Sequence, residues 1–338
     1  MKNTNAILSF MLFFVCLSFA SCSEAEETQS DDDLRAQFIE NSIVEYRGKG
    51  WYRDGTSCIF AVPENFRTMK SPFIEDRITD KLPVKYPSTE GLADMHLSAS
   101  RECSALEMQA LVDTLRTITD GDIWLIDLRQ ESHFLANGLS VSWYGKNDWA
   151  NKGYSDEECQ RDEEARMKYV IGKTIMTYEL DDDKNFVDSF EVHVTETISE
   201  QQRVEQLGVR YLRLRNTDHT FPKPESIDSF ITLVRSLKQN DWIHIHCAAG
   251  HARTGVMMVL YDMMHNPSLP LNDIVVRQYL LGSSNMLETK TGTGIDESYQ
   301  ERVKRVRQLY DYVQEMYDKD YSVTWSEWIA QKDAENNQ

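Results

Sequence analysis

Apolar positions along the chain follow two spacings, and each predicts a different element. Continuous apolar runs bounded by turn residues predict buried strands. Ile123-Trp124-Leu125-Ile126-Asp127-Leu128 and Trp242-Ile243-His244-Ile245 read this way, and Val209-Arg210-Tyr211-Leu212-Arg213-Leu214 reads as a further main-sheet strand. Apolar residues gathered on one helical face predict amphipathic helices. One begins at the capping box Ser104-Ala105-Leu106-Glu107 and carries Leu106, Leu111 and Leu115. A second carries Ile227, Phe230, Ile231, Val234 and Leu237, and a third is the apolar stretch 256–264. Buried strands alternating with helices predict an α/β fold with a central, mostly parallel sheet flanked by helices.

The remaining segments break this rhythm. Residues 34–95 hold Pro63, Pro72, Pro83 and Pro87 among short apolar runs and read as a loop-rich wrap containing Asn65-Phe66-Arg67-Thr68. Residues 145–205 look like a β-rich insertion. Within it, 155–166 is charged and helical, and 169–180 and 189–198 are strand-like runs joined by a hairpin-type turn at 181–185. A short helix over 199–207 closes on Gly208. A single domain is expected to span 34–330, with 331–338 a polar tail. At the start, the fifteen-residue apolar run 6–20 is too short to span a bilayer comfortably and fits the core of an export signal. Phe19-Ala20-Ser21-Cys22 resembles a bacterial lipoprotein processing site, with plain secretory cleavage the alternative. The expectation is a signal at 1–21, an acidic tether at 22–33, and export from a bacterial cell as a periplasmic or cell-surface lipoprotein anchored through Cys22.

A formal net charge of −19 excludes nucleic acid as a partner, because that role needs a basic face. A polyanion can bind only in a local basic cleft. Of six cysteines, Cys16 and Cys22 fall in or beside the signal; two among Cys58, Cys103 and Cys159 have the option of pairing, and Cys247 must stay a free thiol if it is a nucleophile.

The chemistry concentrates in His246-Cys247-Ala248-Ala249-Gly250-His251-Ala252-Arg253-Thr254-Gly255, set between a strand and a helix. Backbone N–H groups of such a turn and the positive end of the helix dipole converge on an anion, and the same fields favour a thiolate at Cys247. These residues resemble the cysteine-dependent protein tyrosine phosphatase superfamily. Cleaving a phosphate ester also requires a protonated acid at the leaving oxygen. Asp218, 29 residues before Cys247 in the stiff loop ending Pro222-Lys223-Pro224, is the candidate.

The likeness narrows when Thr217-Asp218-His219, His96-Leu97-Ser98-Ala99-Ser100, Asp127-Leu128-Arg129 with Glu131-Ser132-His133, Ser142-Trp143-Tyr144-Gly145, Asp148-Trp149-Ala150-Asn151 and Trp325-Ser326 are added. Together they resemble the bacterial protein-tyrosine-phosphatase-like inositol polyphosphatases, the cysteine phytases. The resemblance implies a phosphatase core carrying a small partial β-barrel, no metal or other cofactor, and phosphomonoester hydrolysis through a phosphocysteine. Under it Cys247 is the nucleophile, Arg253 and the N–H groups of residues 248–253 hold the phosphate, Asp218 is the acid, Thr254 bonds the leaving thiolate, and His246 orients the loop. Ala248, Ala249, Gly250, His251, Ala252, His219, Asp127, Arg67, Lys290 and Lys304 are the expected substrate-binding residues, with Arg129, Lys184, Arg302 and Arg305 as further members of a basic rim. The expected partner is a small polyanion, an inositol polyphosphate; a protein tyrosine or dual-specificity phosphatase and a non-catalytic inositol-phosphate-binding protein are the alternatives. Ala252 stands where this pattern more often has Gly, and the stretch 282–297 holds a single Lys.

Overall fold

A computed structural model of the chain describes residues 43–47, 61–180 and 186–336. The expected signal and tether, Cys22, Cys58, Lys184 and the 181–185 turn lie outside the described residues.

The strands are β1 Ile43–Arg47, β2 Arg67–Thr68, β3 Leu97–Arg101, β4 Ile123–Arg129, β5 His133–Ala136, β6 Leu139–Tyr144, β7 Thr174–Leu180, β8 Phe186–His193, β9 Thr197–Ile198, β10 Arg210–Asn216 and β11 Trp242–Cys247. The helices are α1 Ala105–Arg116, α2 Asp156–Val170, α3 Glu200–Gln206, α4 Pro224–Ser236, α5 Ala252–His265, α6 Leu271–Leu280, α7 Asp296–Met316 and α8 Trp325–Asn336. The capping box at Ser104 forms as the sequence predicts, and Ser155 and Ser199 make two more.

The central sheet has the order β10-β4-β11-β3-β2, with the first four strands parallel and β2 antiparallel at the edge. Both faces are covered, which is why β4 and β11 read as near-continuous apolar runs, whereas β3, Leu97–Arg101, carries no such run. Ile126, Leu128, Ile243 and Ile245 pack with the buried residues of α4, α5, α7 and α8. Ile123, Leu125 and Trp242 pack with Met108, Leu111 and Leu115 of α1 and Val204 of α3. The carboxyl ends of β3, β4, β10 and β11 lie side by side, where open α/β sheets build their ligand crevice.

The second sheet has the order β8-β7-β1-β6-β5-β9 and is antiparallel apart from the β1–β7 pair. It has its own core around Phe134, Val141, Trp143 and Val192. Only β7, β8 and β9 come from the expected 145–205 segment; β1, β5 and β6 lie outside it. The β5–β6 turn is Asn137-Gly138, with φ of 50° and 84°. Both residues therefore occupy the left-handed region that a two-residue hairpin turn requires. At the other end, the expected polar tail from 331 is helical as far as 336, as part of α8.

Candidate active site

β11 delivers Cys247 to the floor of a cleft of about 500 Å3 that Arg253, Asp218, His219, Lys290 and Arg302 also line. Strand periodicity sets which way each residue points. Ile243, Ile245 and Cys247 face α5, whereas the alternate residues His244 and His246 share the opposite face with Trp242.

Three carbonyls of the loop after Cys247 are drawn away from the cleft. Ala248 O accepts from the Glu102 N–H at 3.3 Å, Ala249 O from Asn65 Nδ2 at 3.3 Å, and Gly250 O from Asn65 Nδ2 at 3.2 Å and Arg67 Nη2 at 2.8 Å. With its carbonyls turned back, the loop offers its N–H groups forward, as an anion nest does. Gly250 has φ +74°, and a Cβ there would stand 2.3 Å from Ser100 O. Any side chain would push the loop off the edge of β3.

Arg67 was expected on the rim. Instead it is 2% exposed, behind the loop, donating to Asn65 O, Gly250 O and Ser283 Oγ. Burial lowers its pKa to about 10 against the pull of Cys247, so it is a cation at neutral pH behind the loop.

Arg253 is 1% exposed at the entrance of α5. Its Nη1 and Nη2 make paired bonds to the two carboxylate oxygens of Glu131, at 2.7 and 2.8 Å, and Nη1 also donates to Asn216 O at 3.1 Å. Nε lies 3.1 Å from Asp218 Oδ1. Burial works to lower this guanidinium's pKa, but Asp218 and Glu131 outweigh it and hold it well above its ordinary value. Burial would raise the Glu131 carboxyl, and Arg253 and Arg129 together drive it well below the usual carboxylate range.

The Asp218 loop is fixed at several points. Trp149 Nε1 donates to Asp218 O at 2.8 Å, Thr217 Oγ1 to Gln130 Oε1 at 2.6 Å, and the Lys223 N–H to Asn216 Oδ1 at 2.9 Å. His219 takes φ +61° and sets Nε2 3.4 Å from Asp218 Oδ2.

Asp127 was expected to meet substrate, but it is fully buried on the face opposite Cys247. The parallel register places Arg213 beside Asp127 and Asp127 beside His246. Asp127 Oδ2 lies 3.0 Å from Arg213 Nε, 3.3 Å from His133 Nε2 and 2.9 Å from the Tyr211 hydroxyl that donates to it. Glu200 bridges His133 Nε2 and His246 Nε2, each at 3.0 Å. Burial and Arg129 act to lower the His133 pKa, yet the carboxylate contacts leave it raised to about 9; His246 is likewise raised despite burial. Burial raises Glu200, and its two histidines bring it down to about 2. Asp127, Glu200 and His246 place ligand atoms within 4.8 Å of one another, but their charges are already matched by Arg213 and the two imidazoles.

Other expectations also change. Thr254 is fully buried with no hydrogen-bond partner for Oγ1 among the described residues, so the expected bond to Cys247 is not formed. Arg129 is buried between Glu102 and Glu131 rather than on the rim. Lys304 is exposed on α7 away from the cleft lining, and Arg305 pairs with Glu301 and Asp333 beside a different pocket. Ala248, Ala249, His251 and Ala252 line the cleft, and Gly250 forms the loop behind them. His251 Nδ1 lies 2.8 Å from Gly282 O, which ties the loop to the segment after α6. Sequence reading missed Arg77, Asp148, Tyr279 and Tyr299 on the wall and Glu131 and Trp149 as partners of Arg253 and Asp218. Among the described residues Cys103, Cys159 and Cys247 are free thiols.

Comparisons with known proteins agree with this architecture. The protein-tyrosine-phosphatase-like phytase family, described as "Inositol hexakisphosphate", matches residues 126–265. The solved myo-inositol phosphatase from Mitsuokella multacida, in complex with myo-inositol-(1,3,4,5)-tetrakisphosphate, is 37% identical with a TM-score of 0.77, over 85% of this chain and 49% of that one. A phytase of the same type from Bdellovibrio bacteriovorus is 25% identical with a TM-score of 0.58, over 83% of this chain and 99% of that one. Effector protein hopD2 of Pseudomonas syringae is 29% identical over 263 residues, 74% of this chain and 54% of the effector. The chain thus spans about half the length of the Pseudomonas and Mitsuokella proteins. With the fold, the Cys247–Arg253 loop and these matches in agreement, this chain is similar to the protein-tyrosine-phosphatase-like phytases in architecture and, over residues 126–265, in sequence.

Proposed function

We propose that this chain is a phosphomonoester hydrolase that works through a phosphocysteine and takes myo-inositol polyphosphates such as phytate. The observation that carries the reading is the meeting of Cys247, Arg253 and Asp218 in one cleft that also holds Arg77, Lys290 and Arg302. A strongly acidic protein has concentrated cations where a polyanion would sit. Arg302 supports it further, as a cation 3% exposed on the cleft wall with its guanidinium carbon 4.7 Å from the centre of the Tyr299 ring.

In this mechanism the Cys247 thiolate attacks phosphorus. The S–P bond forms as the P–O bond to the inositol carbon's oxygen breaks, and the Asp218 proton goes to that oxygen. Arg253, held in plane by Glu131, and the loop N–H groups stabilise the charge on the equatorial oxygens. A water then gives its proton to the Asp218 carboxylate as its oxygen attacks phosphorus. The S–P bond breaks, phosphate leaves, and the thiolate returns. The His246–Glu200 pair acts from the protein side of this loop, as a supporting group.

Substrate class is tested by comparing kcat/KM on inositol hexakisphosphate and on a phosphotyrosyl peptide. The proposal expects the inositol ester to be preferred, and a strong preference for the peptide overturns it. Export with lipid attachment at Cys22 belongs to the same reading and rests on the pattern of residues 6–22.

A further inference from the structure

Arg77 lines the cleft that holds Cys247, yet the chemistry above gives it no task. Its Nη1 donates to two carbonyls, Tyr279 O and Ser283 O, both at 2.7 Å, and its guanidinium carbon lies 4.9 Å from the centre of the Tyr279 ring. Those contacts fix the plane of the group. They leave Nε and Nη2 without a protein partner among the described residues, and neither atom is buried. Three N–H donors in a rigid fork are therefore available on the cleft wall.

The other cleft arginines are differently placed. Arg253 is engaged by Glu131 and Asp218, and Arg302 donates to Asn285 O and Glu288 O at 3.4 Å. Lys290, the remaining Lys or Arg of the lining, is a flexible point charge. The lining also carries the carboxylates Asp148, Asp218 and Glu288, so a polyanion needs a strong directional contact to settle there. The support of Arg77 is continuous with the phosphate loop. Ser284 N–H donates to His251 O at 3.1 Å, His251 Nδ1 lies 2.8 Å from Gly282 O, and Ile74 N–H donates to Leu280 O at 2.8 Å. The segment that clamps Arg77 thus also braces the loop after Cys247, which fixes the distance between the two anion sites.

We propose that Arg77 is a second anion subsite: it takes a neighbouring phosphate of the same substrate molecule through a two-pronged contact while Cys247 attacks the first. This rests on the polyphosphate reading above and deepens it, since a substrate with one phosphate cannot use both sites. The paired geometry is the one by which arginine recognises phosphate oxygens, and lysine does not reproduce it.

The test is calorimetric titration of the full chain carrying Cys247→Ser, with inositol hexakisphosphate and with inorganic phosphate as separate probes. Arg77→Gln is expected to weaken hexakisphosphate binding by about tenfold more than it weakens inorganic phosphate binding. Arg77→Lys, which keeps the charge and a donor for the two carbonyls, is expected to lose about threefold on the same ratio. If Arg77→Gln does not fold, the Lys variant carries the comparison. Equal losses for both probes would mean that Arg77 only braces the loop, and no loss for either would mean that it touches no substrate; each result overturns the proposal. Turnover of hexakisphosphate by the wild type tests the enzyme reading independently. A protein that turns it over with its binding ratio unchanged by Arg77 substitution keeps the enzyme and rejects the subsite, and one that does not bind it at all rejects both.

Discussion

At Arg253 one guanidinium answers to two carboxylates with different work. Glu131 holds the Nη edge with two bonds and sits deep in the fold, while Asp218 approaches Nε from the cleft side. In the proposed mechanism the first contact sets the plane in which phosphate oxygens are met, and the second sets the acid near the leaving group. Glu131→Gln keeps the shape of the side chain but loses the charge that fixes the guanidinium. We expect kcat to fall about 10²-fold, since a misplacement near 1 Å has that effect, with a lowered melting temperature from the disturbed buried pair. Steady-state kinetics and thermal unfolding check both. Of the residues at this scale, Cys247, Arg253 and Asp218 are legible because their separation in sequence matches a strand-loop-helix and a preceding proline loop. Arg67, Asp127 and Arg129 are not. A charged residue near a site reads as a ligand contact until the register shows that Asp127 pairs with Arg213 and His246, and until the chain crossing behind the loop shows that Arg67 is buried there. Arg77 gives no signal at all, because it lies in an irregular segment without periodicity.

The elements carry the site through backbone geometry. Gly250 combines a φ of +74° with a Cβ position 2.3 Å from Ser100 O, so Gly250→Ala must both strain the backbone and displace the loop from β3. We expect a stability loss of about 1–3 kcal/mol, read by denaturant unfolding, together with a larger loss of phosphatase activity because the N–H groups no longer converge. Strand alternation does the sorting on β11, sending Cys247 to the cleft and His246 to the buried ion-pair network from adjacent positions. β4, β11, α4 and α5 are legible from apolar spacing alone, because strands covered on both faces leave continuous apolar runs, whereas β3, with Ser98 and Ser100 between its apolar positions, gives no such signal. The second sheet is only half legible. Its β7 and β8 read as strand-like, but β5 and β6 are short, and their one local signal is the Asn137-Gly138 turn. Its recruitment of β1 from far upstream is set by tertiary pairing, which no local pattern encodes.

Across the whole molecule, the ion-pair network behind the loop links stability to pH. His133 has a folded pKa of about 9 against an ordinary value of 6.5, so its contribution is complete below pH 6.5 and is lost as pH rises through about 9. Glu200, brought from 4.5 to about 2, contributes above pH 4.5 and loses that contribution as pH falls toward 2. The melting temperature should therefore be highest between those limits, with an alkaline decline worth on the order of a few kcal/mol that His133→Gln flattens; an equally steep decline in the variant would assign it to other groups. For the proposed export and lipid attachment, cells fed labelled palmitate should yield labelled wild-type protein and unlabelled Cys22→Ala protein.

The central claim is that Cys247 carries the phosphoryl group during hydrolysis of an inositol polyphosphate. It is tested by acid-quenching the enzyme during turnover of 32P-labelled inositol hexakisphosphate and counting protein-bound label. The account predicts label on the wild type and none on Cys247→Ser, with phosphate release by Asp218→Asn slowed about 10²- to 10⁴-fold because both the forming and the hydrolysing step use that carboxyl. Phosphate release that persists in Cys247→Ser, or turnover by the wild type with no protein-bound label in either the wild type or Asp218→Asn, would contradict it.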